Sequence, residues 1–286
     1  MHGGNDVVRG AVRMRPRAKN LRVRRYRARR RRRAAAGVVL LLAALCAGWY
    51  FWGGSKPLTV LLTGAQGRQK ETGEVKTVTF TLPEGVWYVL EMGRYPSLRE
   101  AEETAVAYVN RGAAGYVRPE GTAGCVLAAA YPTRADAAAV QSNLKKKHGL
   151  DSTVAEAALP RVVMRMTGRT AQLNAVCDAC DFLSGACGQL YQLSLRLDQG
   201  EMTVSEAQAQ LASHQETARA LARALESLPE DAPCRTLAAV LDGLTDALNG
   251  ARERGITAAE AGGRIKYGQL TAIYGLKDCL DGLAGR

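Results

Sequence analysis

The amino-acid sequence predicts an α+β fold behind an N-terminal transmembrane helix, and three features of the 286-residue chain lead to this prediction. A run without charged residues follows an arginine-rich tail, a strand–helix–strand pattern then occurs twice, and the remaining sequence has helical periodicity. Apolar residues make up 47% of the chain and charged residues 23%, which is typical of folded proteins and excludes global disorder. We therefore expect a membrane anchor, a split-βαβ domain of order βαββαβ and a C-terminal all-α helical bundle.

Positive charge is concentrated in residues 1–33. This segment holds 14 of the 39 Lys and Arg residues and one acid, Asp6, so it carries +13 against +12 for the whole chain and leaves −1 for the rest. Tyr26 is its only aromatic residue, which disfavours stacking on nucleic-acid bases. The segment is predicted to be a cytoplasmic tail that sets topology and touches anionic lipid. DNA tethering by the same segment is the rival reading, and a nucleic-acid partner is not expected.

Residues 34–52 contain no charged side chain and are predicted to form a single transmembrane helix. Nineteen residues at about 1.5 Å each span roughly 28 Å, close to the thickness of the hydrocarbon core. Trp49, Tyr50 and Trp52 lie at the far end, where amphipathic rings favour the interface. A lipoprotein cleavage before Cys46 is disfavoured, because the preceding residue is not small. The arginines place the N-terminus in the cytoplasm and residues after 53 outside the cell membrane.

Residues 53–85 are predicted to be a linker with possible edge strands. Gly53–Pro57 is rich in turn-forming residues. Leu58–Thr63 and Val75–Leu82 alternate in the manner of strands, so a hairpin or one added edge strand is expected.

The first half of the βαββαβ pattern begins with a strand at Val86–Met92. Ser97, with Glu100 three positions on, is predicted to cap a helix that runs to Arg111, and Ala114–Arg118 is the next strand.

The second half repeats this order with a strand at Cys125–Ala130, a helix at Thr133–Lys147 and a strand at Ser152–Glu156. Residues 86–158 are therefore predicted to form a sheet with two helices on one face. RNA-recognition modules share this order, but Cys125–Ala130 lacks the basic and aromatic signature of their third strand.

Short motifs within residues 86–158 resemble a known family. Val89–Tyr95 has the pattern hydrophobic–polar–hydrophobic–Gly–x–aromatic, Arg99–Glu102 follows at the helix entry, and Ala129–Ala137 forms a second half-repeat. On these residues the segment resembles the SPOR (sporulation-related) domain of bacterial envelope proteins. The resemblance implies binding of peptidoglycan glycan strands stripped of their stem peptides, at the division or sporulation septum.

The resemblance places the binding surface on the open face of the sheet, which lies opposite the two helices. Strand alternation puts Glu91 on that face and turns Leu90 and Met92 towards the helices. Arg94 is expected at the rim of the sheet. The predicted glycan-binding residues are Glu91, Arg94, Tyr116, Arg118, Cys125 and Leu127.

Residues 161–286 are predicted to form an antiparallel helical bundle. Thr203 with Glu206, and Thr257 with Glu260, have the spacing of capping boxes. The many alanines imply close-packed helices or an unfilled groove for a partner. The four helices are expected at about Gly168–Asp198, Val204–Leu228, Pro233–Glu253 and Ala258–Leu283.

Three cysteines, Cys177, Cys180 and Cys187, share one face of the first of these helices. A metal site would need a fourth ligand, which Cys234 or Cys279 could supply. No second CxxC pair and no paired histidines support a metal, so we interpret the cysteines as small apolar core residues and expect no metal and no cofactor. Disulfide bonds between the helices are the alternative interpretation of these cysteines.

The sequence predicts no enzyme. His148 and His214 are the only histidines after the predicted span and fall in different domains, which fits neither a zinc amidase nor a Cys-His peptidase. Glu226 and Glu260 lie at helix ends and have the character of surface charges rather than of a glycosidase acid.

The expected function is that of a membrane-anchored peptidoglycan-binding protein at the division or sporulation septum. The alternative is a non-catalytic envelope scaffold whose helical bundle binds a protein partner and whose sheet is vestigial.

Overall fold

The computed structural model describes residues 75–227 and 232–284, which form an α+β fold of two antiparallel sheets and six helices. The predicted tail 1–33, the predicted span 34–52 and the predicted strand 58–63 lie outside the described residues. No helix within the described ranges is both long and apolar enough to cross a membrane.

The elements follow the predicted order, with one strand more. In chain order they are β1 (Val75–Leu82), β2 (Gly85–Tyr95), α1 (Leu98–Val109), β3 (Tyr116–Glu120), β4 (Ala123–Tyr131), α2 (Arg134–His148), β5 (Thr153–Leu159), β6 (Val162–Arg169), α3 (Thr170–Asp198), α4 (Val204–Glu226), α5 (Ala232–Gly250) and α6 (Ala258–Ala284). Strands β2 to β5 form an antiparallel sheet of order β3-β4-β2-β5. The predicted split-βαβ arrangement is confirmed.

Side-chain caps fix the starts of several helices where the sequence predicts them. The Ser97 hydroxyl accepts a hydrogen bond from the backbone N–H of Glu100 at the start of α1, and Thr133 does the same at the start of α2. Both predicted capping boxes, at the starts of α4 and α6, are present. Each such cap contributes about 1 kcal/mol to stability.

The two faces of the four-stranded sheet are buried against different helices. Leu90 and Met92 pack towards α1 and α2 in one small apolar cluster, as strand alternation predicts. Leu127, Ala130 and Ala157 point the other way and belong to a larger core that includes the C-terminal helices. The sheet is therefore the middle layer between two sets of helices.

Residues 162–169 correct the expectation that the chain is helical from 161 onward. They form β6, which pairs with β1 in an antiparallel ribbon from Val75↔Arg169 to Leu82↔Val162. Exposed and half-buried side chains alternate along β6, and its half-buried face packs on α3. This period-two alternation is typical of a strand. The helical sequence of α3 follows it directly, so the segment was predicted as part of the helical region.

The C-terminal helices pack closely through glycine. A Cβ atom added at Gly275 of α6 would lie 2.6 Å from a Val240 methyl of α5, and one at Gly268 would lie 2.7 Å from Leu248. Of the two possibilities that the alanine-rich composition raises, the described part of the bundle therefore shows close packing.

The sheet and the bundle, which the sequence divides at about residue 160, share one core. A single cluster of buried side chains runs from the sheet through α3 to α6. Pro160 and the change in composition indicate a boundary there, and in the structure β6 follows almost at once.

Candidate functional site

The six residues that the sequence predicts to bind glycan lie together on the sheet. Glu91 and Arg94 come from β2, and the other four come from two neighbouring strands. The strand register places Leu127 opposite both Glu91 and Tyr116, and Cys125 opposite both Arg94 and Arg118. The structure thus brings together all the predicted residues.

Helix α6 covers this face of the sheet. The ring of Tyr116 is stacked on Tyr274, with centroids 5.8 Å apart and an interplanar angle of 15°, and lies 5.2 Å from the ring of Tyr267. Cys125 and Leu127 are each 1% exposed. The expectation of an open sheet face is therefore wrong for this structure. The apolar side chains on that face account for it, because exposing them to water would be unfavourable.

The guanidinium group of Arg118 also contacts α6. Its Cζ atom lies 4.4 Å from the centroid of the Tyr274 ring, within the range of a cation–π interaction. Tyr274 itself is 4% exposed, so the contact is largely desolvated. Tyr116 and Arg118, two residues predicted to contact sugar, thus both contact α6 of the same chain.

Polar contacts fix the position of α6. The Lys266 ammonium donates to the carbonyl oxygen of Gly112 at 3.0 Å and forms a 2.7 Å ion pair with Asp198. The fully buried Gln269 amide donates from Nε2 to the Ala130 carbonyl at 3.3 Å, while its Oε1 has no partner. A buried acceptor without a partner costs about 1–3 kcal/mol, so the surrounding packing must offset it.

Gly263 lets α6 approach the backbone that follows α1. A Cβ atom at this position would lie 2.7 Å from the carbonyl oxygen of Ala113, a contact that real side chains do not make. Glycine is therefore required for the observed docking of the helix.

Arg94 lies at the rim of the covered face, as predicted. Its guanidinium contacts the carboxylates of Glu120 at 2.8 Å and Glu91 at 3.3 Å. Glu91 is the main cause of a raised pKa for Arg94, and Glu120 adds to it. The charge of Arg94 is thus already paired, which leaves less of it for a ligand.

The thiol of Cys125 is not arranged for nucleophilic chemistry. Burial, followed by the negative charge of Glu91, raises its pKa to about 11. Burial likewise raises the pKa of Tyr116 to about 12. Both groups stay protonated at neutral pH, so this site offers stacking and hydrogen bonds rather than proton transfer.

Cys180 and Cys187 of α3 pack in the core, as predicted, whereas the third predicted core cysteine, Cys177, is only half-buried. Cys180 and Cys187 are each 1% exposed, and burial raises the pKa of both thiols to about 12. Residues 75–227 and 232–284 contain no group of three or more His, Cys, Asp or Glu side chains placed to hold a metal ion.

Two tyrosines of α6 that were not predicted as site residues complete this site. Tyr267 and Tyr274 are seven residues apart and both contact Tyr116. The helical period places both rings on one face of α6, so the seven-residue spacing predicts an aromatic helix face that packs against another element. The spacing does not indicate that this element is the sheet.

The fold and the site define an α+β protein whose sheet is covered on both faces by helices of the same chain. No known protein family, curated protein or solved structure matches this chain.

Proposed function

We propose that the chain is a non-catalytic scaffold of the cell envelope, anchored in the membrane by residues 34–52 with its N-terminus in the cytoplasm. In this proposal the sheet is a platform for the C-terminal bundle, and the bundle binds a protein partner. The observation that carries it is the packing of α6 on the sheet face that the SPOR resemblance assigns to glycan.

The energy of this packing supports the proposal. Burying Leu127 is worth about 1.5–3 kcal/mol. Burying the Tyr274 side chain is worth a similar amount, about 1.5–3 kcal/mol. Together these terms amount to about 3–6 kcal/mol. A glycan with a Kd near 1 mM returns about 4 kcal/mol, so displacing the helix would consume most or all of its binding energy.

Binding of peptidoglycan glycan strands is the second candidate, and a patch at the rim favours it. Tyr267 is 38% exposed beside Tyr116, at the start of the edge strand β3, and Glu120, which pairs with Arg94, lies at the other end of that strand. An exposed ring and charged hydrogen-bonding groups along one edge strand suit an extended sugar chain, which offers weakly apolar faces and hydroxyls. In this form the protein binds the septal wall with α6 in place.

Co-sedimentation of the full chain with purified sacculi separates the two candidates. The scaffold proposal predicts no more retention than an inert control protein. Rim binding predicts retention that Tyr267→Ala abolishes and that Arg165→Gln, an exposed change on β6, leaves intact. Retention with this pattern would refute the scaffold proposal.

A variant in which α6 is displaced tests whether the covered face of the sheet binds glycan. Gly263→Val should displace α6 from the backbone near Ala113 and expose the sheet. If glycan binds the sheet face, this variant is retained by sacculi more strongly than the wild type. The scaffold proposal predicts that its retention stays at the level of the inert control.

A further inference from the structure

A cleft lies on the opposite side of the sheet, between the ends of α1 and α2. Its volume is about 430 Å³, within the range of small-molecule sites. It is far from the covered face, because Met92 and Ala128 in its floor belong to the apolar cluster under α1 and α2.

The cleft exists because small side chains fill the space between sheet and helices. The buried residues of this cluster include Ala101, Ala105 and Ala128, and the larger Leu144 and Leu150 remain half-buried. Alanine cannot fill the distance between a helix and a sheet. The apolar walls are thus left in partial contact with water, which favours an apolar occupant.

The polar groups of the cleft determine which ligand headgroup it can bind. Of its eight lining residues only Tyr108, Arg111 and His148 carry polar side-chain atoms. Arg111 is exposed, and among the described residues its guanidinium pairs with no carboxylate. A free guanidinium beside an apolar cavity is suited to an anion that carries an apolar body.

Tyr108 adds a neutral donor. Burial is the main cause that raises its pKa, and the charge of Tyr95 and a side-chain hydrogen bond with Tyr95 raise it further. Its hydroxyl therefore remains protonated at neutral pH, and it can donate to a carboxylate in place of Tyr95.

We infer that this cleft binds a single-chain carboxylate amphiphile, such as a saturated fatty acid. The alkyl chain lies on Met92, Leu144 and Leu150, and the carboxylate pairs with Arg111. A peptide or a sugar fits less well, because each needs polar partners along its length and the floor of the cleft is made of Met, Leu and Ala side chains. The inference does not depend on the function of the covered face.

Photocrosslinking with the full chain tests this inference. The protein is held in nanodiscs of neutral phosphatidylcholine, because residues 34–52 are predicted to span a membrane. The probe is dodecanoate with a diazirine in mid-chain, and mass spectrometry maps the adducts. We expect adducts on the peptides that carry Met92, Leu144 and Leu150, and we expect excess unlabelled dodecanoate to remove them.

Two comparisons test the role of the anion. The methyl ester of the probe keeps the alkyl chain and loses the charge, so it should label the cleft at least about fivefold less. Arg111→Gln should reduce labelling by the acid to a similar degree. The matched control is Arg99→Gln, an exposed arginine at the start of α1 that pairs with Glu103 outside the cleft.

A filling variant tests the apolar part. Ala113→Met should occupy the cavity and lower labelling, whereas Ala107→Met, on the exposed surface of α1, should not. Equal labelling by acid and ester, unchanged labelling of Arg111→Gln, or adducts absent from the lining peptides would each overturn the inference. The ester comparison uses the unaltered protein and stands even if a variant fails to fold.

Discussion

Replacing Tyr274 by alanine is the most direct perturbation of the contact between sheet and bundle. The ring is 4% exposed, stacks on Tyr116 and lies under the guanidinium of Arg118. Truncation of a buried aromatic side chain costs about 3–5 kcal/mol, because apolar burial is lost and a cavity remains. We expect Tyr274→Ala to lower the free energy of unfolding by that amount.

Urea unfolding followed by circular dichroism measures the loss. The matched control is Tyr267→Ala in the same helix, which removes a ring that is 38% exposed and should cost only about 1 kcal/mol. A double-mutant cycle of Tyr274→Ala with Tyr116→Leu should give a coupling of about 0.5–1.5 kcal/mol for the stacked pair.

Maleimide labelling of Cys125 provides a local readout. The thiol lies on the covered face and should react slowly in the native protein. If α6 lifts more often in Tyr274→Ala, labelling of Cys125 should accelerate about tenfold for every 1.4 kcal/mol lost. A loss below 1 kcal/mol together with unchanged labelling would refute the view that this ring holds the helix on the sheet.

Three further predictions concern the same core. Gly263→Val should lower the urea midpoint more than Gly282→Val, because only the first Cβ would meet the Ala113 carbonyl; equal effects would contradict close backbone docking. Gln269→Leu removes an acceptor without a partner together with one hydrogen bond, so the free energy of unfolding should change by less than about 1 kcal/mol; a loss above 3 kcal/mol would mean that this amide is essential. Burial raises the pKa of Cys180 to about 12, so the folded state keeps the thiol protonated above pH 9 while the unfolded chain ionises. This thiol stabilises the fold below pH 9, and its contribution should fall by about 1.4 kcal/mol per pH unit between pH 9 and 12; Cys180→Ala should flatten that decline in urea titrations.

The local elements could be predicted from the sequence because local signals specify them. The Ser97 and Thr133 caps and the glycine that ends α2 (Gly149, φ +67°) set helix limits within a few residues. Alternation along β2 assigned Leu90 and Met92 to the helix side of the sheet. These signals act over a few residues, so they do not depend on what packs against the element.

The contact between α6 and the sheet could not be predicted in the same way. Tyr116 and Tyr274 are far apart in the chain, and their stacking depends on the docking of whole elements. The cue at Gly263 was ambiguous, because a glycine within a helix usually costs stability and indicates close approach without naming the partner. The cleft near Arg111 likewise results from the volumes of several alanines, which no single position reveals.

The layer arrangement limits where this protein can bind a partner. In the described part of the chain, α1 and α2 cover one face of the four-stranded sheet, and α6 covers the other face at Tyr116 and Leu127. Recognition without unfolding therefore has to use surfaces outside these covered faces, such as the helix surfaces, the exposed ring of Tyr267, the rim at Arg94 or the cleft beside Arg111. Since the chain beyond residue 33 has a net charge of only −1, long-range attraction is weak, and contact chemistry must supply the affinity. At the cleft, apolar burial and the unpaired guanidinium of Arg111 can supply that affinity. At the rim, the carboxylates of Glu91 and Glu120 already pair with the guanidinium of Arg94.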